Sequence, residues 1–336
     1  MKFLISNYAY PGFVDGLVKQ GHEVLGMHGS IDEFNWWQHL INEGKTNEEY
    51  DAILRKQIEE NKPDVFLCGK GWHFDKFIKP ETIEWIRERV GCTVYWSLDD
   101  PDFVPMFMQK EMWKGYDVAL SCCGGSLKDY ESAGMEAHLF WPAWDQKVWK
   151  SFEFTEEEKV DFLLVGTPYT ITKIQRRDIA AAMVATGLSV DIWGPKTWLQ
   201  TKPDHFAAGY NMLKEFYKGS FLDRDGLPEL FAKAKINFSN HIRKGDMYLN
   251  DRVPIVLGAG AFLLLDRQVG FAEYFKDSVV FFDGVIDAAE KAVYYAEHVD
   301  ERNEIMRNGQ KLIMENDTYE HRANRLLEIL AKRGMK

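Results

Sequence analysis

Short apolar runs bounded by turn residues alternate along this chain with stretches of helical spacing, and the whole alternation occurs twice. In the first half the apolar runs fall at 2–6, 22–27, 64–68, 93–97, 117–121 and 138–141. Helical spacing lies between them at 13–20, 31–60, 80–89 and 126–133, with Gly21 ending the first stretch and Pro80 opening the third. Strands that are apolar on both faces and separated by helices belong in a parallel sheet covered on each side. A charged segment, SFEFTEEEK at 151–159, interrupts the pattern and reads as a linker. The alternation then restarts, with strands at 161–165, 189–193, 236–239, 261–265 and 279–282. Helices are expected at 176–186, 227–234, 253–257 and from 286 to the end. At 336 residues the chain is long for a single core. The pattern predicts an α/β protein of two Rossmann-like domains, 1–152 and 160–336, facing each other across a cleft. The last helix is a candidate to pack back on the first domain.

Open α/β sheets bind ligands outside the carboxyl ends of their strands. The loops to inspect are therefore 7–12, 69–73, 98–102, 166–173, 193–198, 240–252 and 283–284. The first, NYAYPG, contains no GxGxxG, and no GxxxxGK[ST] occurs in the chain, which argues against nicotinamide dehydrogenases and P-loop nucleotide hydrolases. A net charge of −11 argues against a broad grip on nucleic acid. Basic runs at 173–177 and 241–244 still allow a local basic cleft. The 11 tryptophans suit clefts that stack sugars or bases, beyond what a core needs. Cys68, Cys92, Cys122 and Cys123 show no metal-ligand spacing and read as buried, reduced thiols of a cytoplasmic protein, with no metal site. The opening MKFLISNYAYPG is too short and too polar for a signal peptide, and no apolar run reaches membrane-spanning length.

The richest loop is NHIRKGDMYLNDR at 240–252, between two apolar runs and followed by Gly258-Ala-Gly260. Arg forms bidentate bonds to phosphate oxygens and Lys acts as a point charge, so Arg243, Lys244 and Arg252 are suited to a diphosphate. Arg243 and Arg252 are equally suited to salt bridges with Asp246 or Asp251. The loop GTPYTITK at 166–173, with Arg176 and Arg177 after it, offers small residues for close backbone approach and cations beside them. Its alternative is a turn leading into a solvated basic helix. In YWSLDDP at 95–101, Asp99 and Asp100 stand at a strand end, either as base and hydrogen-bond acceptor for an acceptor hydroxyl or with Asp100 capping a helix ahead of Pro101. Trp72 and His73 offer an aromatic platform and an imidazole in a neighbouring loop.

The order of these pieces resembles the GT-B glycosyltransferases, and within them the spore-maturation CgeB-like group with its phage-encoded relatives. The resemblance covers most of the chain in eight weak motifs: GFVDGLVKQGHEV at 12–24, YWSLDDP at 95–101, YDVALS at 116–121 with YESAG at 130–134, FLLVG at 162–166, VDIWG at 190–194, LPELF with KINFS at 227–239, RVPIVLGAGAFLL at 252–264, and TYEHR at 318–322. It implies a metal-independent transfer of a hexosyl or pentosyl group, with retention, from a nucleotide sugar to an acceptor hydroxyl. A UDP-sugar is the first choice, with the base left open and no tightly bound cofactor. The implied catalytic residues are Asp99, Asp100, Arg243 and Arg252. The implied donor contacts are Gly166, Thr167, Lys173, Trp193, Gly194, Asn240, His241, Lys244, Asn250, Asp251, Gly258 and Gly260. Tyr10, Gly12, Trp72, His73 and Trp96 are implied on the acceptor side, where the partner is a glycan, a protein or a hydroxymethylated DNA base. A nucleotide-sugar epimerase and a nucleotide-sugar binding protein are the alternatives. One departure stands out. The family carries Glu three residues after the arginine, placed to touch the donor's ribose or sugar, and this chain has Ile255 there. Either Asn250 or Asp251 takes that contact, or the donor differs, or catalysis is lost.

Overall fold

A computed structural model describes residues 1–7, 10–26, 44, 46–69, 72–73, 76–153, 160–168, 174–200, 211–220, 225–241 and 246–335, with backbone alone at 72–73 and 76–77. The chain divides into two compact units: Met1–Val148 with Gly245–Leu249 and Asp317–Lys336, and Trp149–Lys244 with Asn250–Asn316.

In the first unit the chain runs β1 (Lys2–Asn7), α1 (Pro11–Lys19), β2 (Glu23–Gly26), α2 (Asn47–Asn61), β3 (Val65–Gly69), β4 (Trp72–His73), β5 (Lys76–Phe77), α3 (Pro80–Arg87), β6 (Cys92–Ser97), α4 (Val104–Gln109), β7 (Val118–Ser121), α5 (Leu127–Ser132) and β8 (Glu136–Leu139). Six of these strands form one parallel sheet in the order β2-β1-β3-β6-β7-β8. Side chains alternate across it, as the period of two requires. Phe3, Ile5, Val94 and Trp96 join Phe13 and Leu17 of α1 in one core layer, while Leu4, Phe66 and Tyr95 join Leu54, Ile83 and Phe107 in the other. Helix α1 begins with proline at its first turn, and its Gly12 N–H donates to the remote Asp145 carboxylate at 3.0 Å. Helix α2 opens with a reciprocal Thr46–Glu49 capping box.

The second unit contains β9 (Val160–Val165), α6 (Arg176–Ala185), β10 (Val190–Trp193), β11 (Tyr217–Gly219), α7 (Leu227–Ala232), β12 (Ala234–Ser239), α8 (Arg252–Gly258), β13 (Leu263–Asp266), α9 (Phe271–Phe275), β14 (Val280–Phe282), α10 (Val285–Glu297) and α11 (Val299–Asn316). Its sheet is also parallel and six-stranded, in the order β11-β10-β9-β12-β13-β14. The chain then returns to the first unit as α12 (Tyr319–Lys332), which packs along α1. Thr318 and His321 cap it reciprocally, and this cap divides the long carboxyl-terminal helical region.

Several local readings change. Of the helix expected at 31–60, the structure gives Asn47–Asn61, and 27–43 lie outside the described residues. Strand β11 and the short β4–β5 ladder carry too few residues for a period to register. The start of the charged linker is tied down: Ser151 Oγ donates to the Gly258 carbonyl at 2.8 Å, and the Phe152 N–H to that of Ala259 at 3.0 Å. The four cysteines are free and buried. Among the described residues no helix is long and apolar enough to cross a membrane.

Candidate functional site

A pocket of about 450 Å³ lies at the carboxyl ends of β9, β10 and β11 in the second unit. Val165, Gly166 and Thr167 come from the end of β9, Gly194 and Pro195 follow β10, and Ser220 follows β11. Helix α7 adds Leu227 and Phe231, and the start of α8 adds Asp251, Arg252 and Ile255.

Two glycines let the loops meet. Gly166 has φ +136°, and a Cβ there would stand 2.7 Å from Arg176 Nη1 and 2.8 Å from Arg252 Nη2. A Cβ on Gly194 would stand 2.3 Å from the Gly166 carbonyl oxygen. That oxygen accepts from the Trp198 indole N–H at 2.7 Å, and the Gly166 N–H donates to the Trp193 carbonyl at 2.8 Å. Side chains at either position would part the two loops.

The two guanidinium groups beside Gly166 have different surroundings. Arg176, 5% exposed, donates through Nε to Asn240 Oδ1 at 2.9 Å and through Nη1 to the Thr167 carbonyl at 2.9 Å. Asn240 in turn donates to the Ile174 carbonyl at 2.9 Å. This buried bracket ties the start of α6 to the ends of β9 and β12. Arg252 opens α8 and lines the pocket. Its N–H donates to Asn250 Oδ1 at 3.1 Å, and its Nη1 lies 3.4 Å from Ser239 Oγ, a hydroxyl that accepts from Asn250 Nδ2 at 3.2 Å. Asn250 and Ser239 thereby aim the Arg252 side chain.

Several residues implied as donor contacts have other work. Asn240 belongs to the bracket. His241 has a fully buried side chain, with Nδ1 2.6 Å from Asp266 Oδ1, and the same carboxylate oxygen accepts from the His241 N–H at 3.0 Å. It joins the ends of β12 and β13 instead of facing the pocket. Trp193 contributes its carbonyl to the Gly166 turn, while its side chain lines a separate groove with Leu163, Asp191, Leu230 and Lys233. Gly258 accepts from Ser151 through its carbonyl. A Cβ on Gly260 would meet Gln310 Nε2 at 2.8 Å and the Phe152 carbonyl oxygen at 3.0 Å, so both glycines serve the far end of α8. Gly166, Thr167, Gly194, Asp251 and Arg252 line the pocket, with Asn250 behind Arg252. Lys173, Arg243 and Lys244 lie outside the described residues. Asp246 forms no part of the pocket: its carbonyl accepts from the Gly125 N–H at 2.9 Å in the first unit.

The residues implied on the acceptor side are also redrawn. Asp100 is fully buried, accepting from Ser97 Oγ and Ser121 Oγ at 2.5 Å each and from Tyr130 OH at 3.0 Å. Burial pushes its carboxyl above the ordinary value, and those hydroxyls offset this only in part. An enclosed carboxylate with three donors is a tie between β6, β7 and α5, not a base for an incoming hydroxyl. Trp96 is fully buried, with its ring centroid 5.1 Å from that of Phe13 and 5.2 Å from that of Phe140, and it belongs to the core. Tyr10 is 5% exposed and stacks on Tyr319 at 3.8 Å. Gly12 leaves room for Asp145, whose Oδ1 would lie 2.6 Å from a Cβ there. Asp99 is partly exposed at the same strand end. Trp72 and His73 form the β4 backbone, and their side chains lie outside the described set.

Sequence reading missed Pro195, Ser220, Leu227 and Phe231 as pocket residues. Pro195 fell within the loop 193–198, and Leu227 and Phe231 within the LPELF motif of the resemblance, but none of the four was singled out as a ligand contact.

Residues 175–328 match the family profile described as "Glycosyl transferase-like". No curated protein matches the chain by sequence. Among solved structures, HepE of Anabaena in complex with UDP and glucose superposes with a TM-score of 0.64 at 10% identity, covering 99% of this chain and 100% of that one. Sucrose-phosphate synthase from Thermosynechococcus elongatus gives 0.66 at 8% identity, covering 99% and 98%. An E. coli structure with UDP-2-fluoro glucose gives 0.63 at 10% identity, covering 98% and 99%. The fold shared across these chains is GT-B, with two parallel six-stranded sheets and their helices.

Proposed function

We propose that this chain is a glycosyltransferase that takes a sugar from a nucleoside diphosphate and places it on an acceptor hydroxyl. The observation that carries the reading is the pocket at the strand ends of the second unit. Glycines there let backbone come close to a ligand, and the Arg252 guanidinium lines the wall. A diphosphate leaving group is the chemistry such a wall serves. As the bond from the anomeric carbon to the diphosphate oxygen breaks, charge grows on that oxygen, and a preorganised guanidinium stabilises it. The acceptor oxygen then bonds to the same carbon as its proton passes to the departing diphosphate oxygen. Arg243, Lys244 and Lys173 are assigned to the same charge, Asp251 and Thr167 to the donor, and Asp99 to the acceptor side.

Charge neutralisation by side chains makes the proposed transfer metal-independent, and the motif order supports retention and the CgeB-like, phage-related grouping. UDP is the first donor to test, because HepE and the E. coli neighbour were solved with UDP compounds. The acceptor is sought among glycans, proteins and hydroxymethylated DNA bases, and the net charge of −11 favours the first two. A cytoplasmic location and a division into acceptor and donor domains belong to the same reading. A second reading, a nucleotide-sugar binding protein without turnover, rests on Ile255, an apolar residue of the pocket lining.

A thermal-shift series with UDP, GDP, ADP, CDP and dTDP and their sugar conjugates tests the site. A ligand at a hundred times its dissociation constant stabilises by about 2.7 kcal/mol. One nucleotide family should shift the native chain and leave Arg252→Ala unmoved. Acceptor-dependent release of the nucleotide then separates a transferase from a binding protein, and conversion of the sugar without any acceptor would identify an epimerase. No shift with any nucleotide would remove the reading.

A further inference from the structure

Each of the two pocket glycines has both of its backbone groups engaged. The Gly166 N–H donates to the Trp193 carbonyl at 2.8 Å, and the Gly194 N–H to the Gly219 carbonyl at 3.0 Å. Their carbonyl oxygens accept from aromatic side chains. Gly166 accepts from the Trp198 indole Nε1 at 2.7 Å, and Gly194 from the Tyr217 hydroxyl at 2.9 Å. Neither aromatic residue belongs to the pocket lining. Trp198, 1% exposed, sits in a single helical turn at Lys196–Leu199 just after β10, and Tyr217 opens β11. Arg177 of α6 clamps that turn. Its guanidinium carbon lies 5.4 Å from the centre of the Trp198 ring, and its Nη2 donates to the Thr197 carbonyl at 2.5 Å and the Gln200 carbonyl at 3.3 Å. A cation that the sequence offers to a phosphate thus braces the tryptophan instead.

We propose that Trp198 and Tyr217 are positioning residues for a diphosphate: they hold the Gly166 and Gly194 carbonyl oxygens on ring donors, so that the anion meets Arg252 and not a free carbonyl lone pair. The inference rests on the reading of the pocket as the donor site. The physical reason is electrostatic. A peptide carbonyl oxygen is the negative end of its dipole, and an anion brought beside it is repelled. The Gly166 oxygen is also the atom that a Cβ on Gly194 would strike at 2.3 Å, so it stands where the two pocket loops meet. Tied to a donor on a rigid ring, such an oxygen keeps one direction and spends its lone pair on that donor. Released, it turns its field on whatever enters the pocket. The penalty grows with the charge of the ligand, so a nucleoside diphosphate feels it more than the monophosphate of the same nucleoside.

The test is calorimetric titration of the full chain with matched pairs: UDP and UMP, GDP and GMP, ADP and AMP, CDP and CMP. It is repeated on Tyr217→Phe and Trp198→Phe, which each remove one donor and keep an aromatic ring. Ser189→Ala is the control. Its hydroxyl donates to Asp161 at 2.7 Å just before β10, at the opposite end of that strand from Trp193. For whichever base binds, each aromatic variant, verified as folded by its unfolding temperature, should lose at least about fivefold of the native preference for diphosphate over monophosphate, the scale of one hydrogen bond. Ser189→Ala should keep the native preference in spite of a lower unfolding temperature. An unchanged preference in Tyr217→Phe, the milder substitution, overturns the proposal. Equal losses for both nucleotides of a pair also overturn it, because they mark a merely structural role. No binding of any pair by the native chain removes the donor-site reading itself, which distinguishes the two failures.

Discussion

The Arg252 guanidinium lies so near Gly166 that a Cβ on this glycine would stand 2.8 Å from Nη2. Arg176 Nη1 would be equally crowded, at 2.7 Å. Gly166→Ala therefore displaces both cations as well as straining a backbone held at φ +136°. Strain alone costs about 1–3 kcal/mol. Gly187→Ala is the control, since Gly187 also has positive φ, +85°, but a Cβ there meets nothing within 4 Å. Both variants should lower the unfolding temperature, and only Gly166→Ala should also weaken nucleotide binding. Equal affinity in the two would separate Gly166 from the site.

Arg176 and Arg252 should respond differently to truncation. Arg176→Ala strands Asn240 Oδ1 and the Thr167 carbonyl, groups that lose their partners in a buried setting. An unsatisfied buried acceptor costs about 1–3 kcal/mol, so this variant should lose stability first. Arg252→Ala should leave the unfolding temperature within about a degree or two and reduce turnover by roughly a hundredfold or more, the scale of a lost charge-stabilising donor. Turnover measured beside thermal unfolding separates the two. A destabilised Arg252→Ala with native turnover would reverse the assignment.

The fold was legible because each strand is an apolar run between breakers, and burial on both faces of a parallel sheet produces that pattern directly. Gly166, Gly194, Asp251 and Arg252 were legible as a site because small and cationic residues follow strands there. What the sequence hid is direction. Asp100, Trp96 and His241 have the composition of site residues, yet Ser121, Phe13 and Asp266 enclose them, and such partners are 21, 83 and 25 positions away. Leu227 and Phe231 were invisible for the opposite reason: as apolar residues on a short helix, they look like core until the helix is seen at the pocket edge.

The contact of α1 with α12 reverses an ordinary helix rule. Gly16 lies inside α1, where alanine normally stabilises by about 0.5–1 kcal/mol. Here a Cβ would be 2.8 Å from Ala323 Cβ and 3.1 Å from Glu320 Cα of α12. Overpacking of this kind costs about 1–3 kcal/mol. Gly16→Ala should therefore destabilise the chain in urea unfolding, and Gly16→Val more so. Stabilisation by alanine would mean that α12 does not rest on α1 in solution.

A fully buried carboxyl group and a partly exposed one should give opposite pH trends. Burial raises the pKa of Asp100, so its ionised form disfavours folding, and the stability tied to this group increases as pH falls through its folded pKa. At Asp161 burial also acts to raise the pKa, but Lys235 Nζ at 2.7 Å and the Ser189 N–H and hydroxyl bring it below the ordinary value overall. Stability from Asp161 is present above the ordinary carboxylate range and lost as pH falls through its lowered pKa. Asp161→Asn should cost about 1–2 kcal/mol at neutral pH, and the deficit should shrink in acid. Asp100→Asn should compare best with the native chain at neutral pH and progressively worse as acid protonates Asp100 in the native protein. Unfolding temperatures of the three proteins between about pH 3 and pH 8 test this, and difference curves that bend the same way for both variants would refute the assignment of Asp100 as a desolvated carboxylate.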